Sequence, residues 1–132
     1  MSFLPLRDLE YLESHGYTFD QKEFGGQKGL VLKGISLPDG KYVVDSDVSV
    51  DKVNVLIILP NGYPDAQPDM FHTDPWIKLR AVGRAPRAAD QPVAFADINW
   101  QRWSRHSDQW RPGRDGIWTM IKRFEHAIEI AE

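Results

Sequence analysis

Cysteine is absent from the 132 residues. That excludes disulfides, thiolate nucleophiles and cysteine-ligated zinc. Long apolar runs are missing too. The longest, Val53 to Pro60, is interrupted by Asn54 and falls far short of the ~20 residues of a membrane span. Met1 to Leu6 carries neither a basic stretch nor an apolar stretch of signal-peptide length, so a soluble, cytoplasmic protein is expected. There is no excess of basic charge: 16 Lys plus Arg face 19 Asp plus Glu, a formal charge of -3. A generally basic nucleic-acid binder is thereby excluded. The four histidines are scattered with no close pair, so neither a metal nor a cofactor is expected. Gly25-Gly26-Gln27-Lys28-Gly29 lacks the spacing of a phosphate-binding loop and reads as a β-turn.

What is present fits one globular domain over residues 1–132: 42% apolar and 27% charged types are ordinary for such a fold. Leu4, Leu6, Leu9 and Leu12 give Pro5 to Ser14 an apolar side, with Gly16 as a stop, so a short helix is expected. The period then changes. Lys28 to Leu37, Tyr42 to Val50 and Val53 to Leu59 are rich in β-branched residues and joined by short turns, with Tyr17 to Glu23 as an earlier edge strand. Phe71 to Leu79 offers one more short strand. Arg80 to Pro92 reads as a loop, and Val93 to Ile98 carries no decisive pattern. Beyond Pro112-Gly113-Arg114-Asp115, residues Ile117, Met120, Ile121, Phe124, Ala127 and Ile128 recur at three and four, which predicts a helix capped by Asp115. The expected architecture is a two-layer α+β domain: N-terminal helix, antiparallel meander of about four strands, irregular segment, C-terminal helix.

Two stretches give this order a further meaning. The strand Val53 to Leu59 runs into Tyr63-Pro64, Pro68 and Phe71, and Trp110-Arg111-Pro112 precedes the last helix. Their order and spacing resemble the ubiquitin-conjugating (E2, or UBC-like) superfamily, over most of the chain. The resemblance implies a UBC-like fold, with Tyr63, Pro64, Pro68, Phe71 and Pro112 as its structural signature. It also implies a catalytic cysteine about eight residues before the tryptophan, and here that place holds Arg102. The histidine-proline-asparagine tripeptide of the superfamily is missing as well. The chain thus resembles a cysteine-less, prokaryotic E2-like branch. That branch implies an E1-like activating enzyme and a ubiquitin-like protein as partners, and a JAB-type peptidase in the same pathway.

The segment Trp100 to Asp115 concentrates the candidate site. Arginine and tryptophan anchor many interfaces, and arginine grips carboxylates with two parallel bonds. Arg102, Trp103, Arg105, Trp110, Arg111 and Asp115 are the candidate binding residues. A ubiquitin-like tail ends in a carboxylate and is the ligand the resemblance implies. Ser104, His106 and Ser107 are candidate catalytic residues: a histidine base could activate a serine hydroxyl to carry an acyl group as an oxyester. His72 could approach the same surface. A third reading sets the second-half arginines beside the five tryptophans as a single-stranded nucleic-acid groove.

Overall fold

The computed structural model describes residues 2–132. Helix α1 (Leu6–Ser14) leads into strands β1 (Thr18–Phe24) and β2 (Gln27–Ser36). A two-residue strand, β3 (Tyr42–Val43), precedes β4 (Lys52–Leu59), β5 (Phe71–Asp74) and β6 (Lys78–Leu79). Strands β7 (Gln91–Phe95) and β8 (Ile98–Trp103) form a hairpin, and helix α2 (Ile117–Ile130) closes the order. One six-stranded sheet runs β1-β2-β4-β5-β8-β7, while β3 and β6 pair separately. Every named pairing is antiparallel. The architecture is α+β, as expected, and consistent with a UBC-like fold.

Two sequence expectations are corrected. Tyr42 to Val50 is not a strand of the meander. Only Tyr42–Val43 is extended, and the chain turns back where Asp47 takes φ 61° and its N–H donates to the Val44 carbonyl. Strands β2 and β4 therefore pair directly, and the meander of four is β1, β2, β4 and β5. The irregular segment also begins later than its composition implied. Residues 98–103 form β8, inside the sheet, and the hairpin with β7 adds two strands.

The register sorts side chains to the two faces, since successive residues of a strand point to opposite sides. Toward α2 lie Leu30, Leu32, Val55, Ile57, Phe71 and Trp103, packed with Ile117, Met120, Ile121 and Phe124 of the helix. Phe71 stacks on Trp103 with centroids 5.4 Å apart and meets Phe124 edge-on at 5.0 Å. The other face holds a smaller core of Val31, Leu56, Phe95 and Trp100. The sheet curls so that the β7–β8 hairpin reaches β2. A Cβ built on Gly29 would stand 2.7 Å from the Phe95 ring, so only glycine permits this approach.

Buried polar groups are matched closely. Gln101 on β8 is fully buried. Its amide oxygen accepts from Thr73 Oγ1 and the Ile77 N–H, and its amide nitrogen donates to the Ile77 and Ala89 carbonyls. Four bonds satisfy the side chain, at little cost for its burial.

Candidate functional site

The candidates gathered in sequence between residues 102 and 115 are spread by the fold over three surfaces. Arg102 points from β8 to the face away from the helices, opposite His72 in the β5–β8 ladder. Both line a cleft of about 560 Å³ with Lys28, Tyr63, Gln67 and Asp69. Ser104 and Arg105 lie elsewhere, in a groove against Arg87, Ile130 and Ala131 at the end of α2. Ser107, Arg111 and Asp115 border a third depression beside Thr119 and Arg123.

Two candidate binding residues are withdrawn from solvent. Trp103 is 0% exposed, and its indole N–H donates to Thr73 Oγ1 at 2.9 Å. It is a core residue with no face left for a partner, which corrects its placement in the binding set. Asp115 is 4% exposed. Its carboxylate accepts from the Arg111 N–H at 2.8 Å, the Arg111 guanidinium at 3.1 Å and Thr119 Oγ1 at 3.1 Å. The Arg111 hydrogen bond leads in holding its pKa well below the usual carboxylate range, at about 2. Nor is Asp115 the helix cap. Gly116 occupies that position, and the orphan N–H of Ile117 donates to Asp8 Oδ1 of α1 at 3.2 Å.

Trp110 and Arg111 stay accessible. Trp110 is half-buried; its indole N–H donates to the Pro64 carbonyl at 2.9 Å, its ring lies 6.3 Å from that of Tyr63, and the Arg123 guanidinium sits over it. The Trp110-Arg111-Pro112 segment is thereby fastened to the Tyr63-Pro64 loop, whose peptide bond is cis. Pro68 is buried in the same loop, and Pro112 is exposed in the turn before α2. Arg105 rests over the Trp103 ring and donates to the Arg87 and Ser104 carbonyls. Burial pulls its pKa below the usual guanidinium value.

The catalytic candidates do not assemble. His106 Nδ1 donates to Asp69 Oδ1 at 2.8 Å, which leaves Nε2 as the free ring nitrogen. Both side chains are about two-thirds exposed. Among the described residues no hydrogen bond joins His106 to either serine. The Ser107 hydroxyl instead accepts from the Gln109 N–H, and the Ser104 N–H donates to the Ala88 carbonyl.

Sequence reasoning missed Asp69 as the partner of His106 and Asp8 as the cap of α2. Nothing in the spacing announces them, since Asp8 and Ile117 are 109 positions apart. Among the described residues no cluster of histidine and acidic side chains could hold a metal ion. Among the same residues no helix is long and apolar enough to cross a membrane.

The model of prokaryotic E2 family E matches residues 4–131, nearly the whole chain. The chain belongs to that family. No curated protein and no solved structure matches it significantly. In this fold the Tyr63-Pro64 and Trp110-x-Pro112 segments lie side by side. The segment that precedes Trp110-x-Pro112 has arginine and serine and no thiol.

Proposed function

We propose that the protein is an E2-like component of a ubiquitin-like protein modification pathway in a prokaryotic cell. It binds an E1-like enzyme, the tail of a ubiquitin-like protein, or both, and it does so without a catalytic cysteine. The observation that carries this reading is an E2 family match over residues 4–131 in a chain with no sulfhydryl. Thioester transfer needs a thiolate, so this chain does not carry the tail as a thioester. Exposed Arg111 and half-buried Trp110, pinned to the Tyr63-Pro64 loop, supply the arginine and aromatic types that anchor interfaces. A JAB-type peptidase of the same pathway is a further expected partner, and the cytoplasm the expected compartment.

The oxyester alternative requires a base on Ser104 or Ser107. Asp69 orients His106 and leaves Nε2 free, as a base requires. Yet among the described residues no hydrogen bond joins that ring to either serine, and the serines lie on different surfaces. The nucleic-acid alternative requires open aromatic faces, and Trp100 and Trp103 are buried. Neither is favoured by a specific observation.

Size-exclusion chromatography of the protein with its E1-like enzyme, its ubiquitin-like protein and ATP tests the reading. Co-elution with at least one of the two is the expected result. Separate elution of all components would overturn it.

A further inference from the structure

The loop between β6 and β7 carries Arg80, Arg84 and Arg87 and takes no part in the Trp110 and Arg111 surface. The fold sets its first half as a fixed tip beside the end of α2. The Leu79 N–H donates to the Arg84 carbonyl and the Gly83 N–H to the Leu79 carbonyl, both at 2.8 Å. Two more backbone bonds dock the loop on its neighbours. The Arg80 N–H donates to the Lys41 carbonyl at 2.9 Å, and the Arg87 N–H to the Glu132 carbonyl at 3.1 Å. The tip holds Val82 55% exposed, and Ile130 on the last turn of α2 is 61% exposed. Val82 borders a depression of about 300 Å³ and Ile130 another of about 290 Å³. The two share Ala131 and Glu132, so they adjoin as one groove.

The charge around this groove is one-sided. Lys41, Arg80 and Arg84 line one part, and Arg87 and Arg105 the other. Against these five stand the Glu132 carboxylate and, nearby, that of Glu129. Among the described residues none of the five cations is in an ion pair. Lys41, Arg80, Arg84 and Arg105 donate only to carbonyl or hydroxyl oxygens, which leaves their charge unneutralised.

We infer that this groove docks an acidic segment of another protein, with aliphatic side chains seated against Val82, Ile130 and Ala131 and carboxylates facing the arginines. Adjoining exposed apolar side chains with a polar rim mark such interfaces, and charge complementarity sets the sign of the partner. The backbone bonds that fix the loop reduce the ordering cost of binding. Single-stranded nucleic acid matches the charge but not the surface. Bases need rings to stack on, and no aromatic side chain lines either depression. The inference stands apart from the proposed function, because the groove shares no residue with the Trp110 and Arg111 surface.

A random dodecamer peptide library displayed on phage tests it. The library is first depleted on a variant carrying Val82→Ser, Arg84→Glu and Arg87→Glu, then selected on the native protein. All three residues are exposed. Circular dichroism checks that the variant folds; should it not, Arg84→Glu alone takes its place. The expected yield is peptides rich in Asp and Glu that also carry Leu, Ile, Val or Met. Fluorescein-labelled copies should bind the native protein saturably and weaken as salt rises. Their affinity should fall about fivefold with Val82→Ser and about tenfold with Arg84→Glu. No enrichment, enrichment of basic or uncharged peptides, or unchanged affinity in the single variants would each overturn the site. So would tighter binding of polyuridylate or of phosphatidylglycerol vesicles that is lost in Arg84→Glu.

Discussion

Asp8 ties three distant parts of the chain together. It sits on α1, is almost wholly buried, accepts from the Tyr63 hydroxyl at 2.5 Å, and caps the first turn of α2 through the Ile117 N–H. Burial, and next this carboxylate, hold the Tyr63 phenol protonated far above its ordinary range. Asp8→Ala leaves two donors stranded and should cost about 1.5–3 kcal/mol, the range for hydrogen bonds to charged groups. Tyr63→Phe removes one donor and should cost less. Thermal melts decide, and an Asp8→Ala midpoint equal to wild type would contradict the assignment. Asp115 makes a pH-dependent prediction. Its folded pKa of about 2 lies below the ordinary carboxylate value of about 3.9. The unfolded chain takes up the proton first, so the stabilisation is complete above about pH 4 and is lost as pH falls toward 2. The melting temperature should fall less steeply between pH 4 and 2 in Asp115→Asn than in wild type. Parallel acid limbs would contradict this.

At the scale of elements, the curl of the sheet depends on a close approach. A methyl group at Gly29 would collide with the Phe95 ring and with Leu56. Gly29→Ala should destabilise by roughly 1–3 kcal/mol, as overpacked cores do, and should expose Trp100 as the β7–β8 hairpin lifts. Indole fluorescence and thermal unfolding measured together check it; an unchanged spectrum and midpoint would mean that the hairpin does not lean on β2 as described. The elements differ in how well the sequence announces them. Helix α2 and strand β4 carry one-sided or dense apolar patterns, and both are legible from residue spacing alone. Strand β8 is not, because both of its faces are covered: Trp100 and Arg102 on one side, Gln101 and Trp103 on the other. A strand buried on both faces loses the polar alternation that identifies it. The stretch therefore resembles an arginine- and tryptophan-rich surface loop until the ladder with β5 is seen. For the same reason the candidate site was legible as a concentration of residue types but not as a place. Alternation along β8 sends Trp103 into the core and Arg102 into the cleft.

For the whole molecule, the governing fact is chemical. A chain without cysteine has no thiol to carry a thioester, and among the described residues no hydrogen bond joins His106 to Ser104 or Ser107. On the proposed function, recognition falls to exposed Arg111 and the anchored Trp110. The most direct test of this account is the intact mass of the protein after incubation with its E1-like enzyme, its ubiquitin-like protein and ATP. The account predicts an unmodified chain that nonetheless co-elutes with a partner under native conditions. A mass increase equal to one ubiquitin-like protein, released by hydroxylamine and missing in Ser104→Ala or Ser107→Ala, would contradict it.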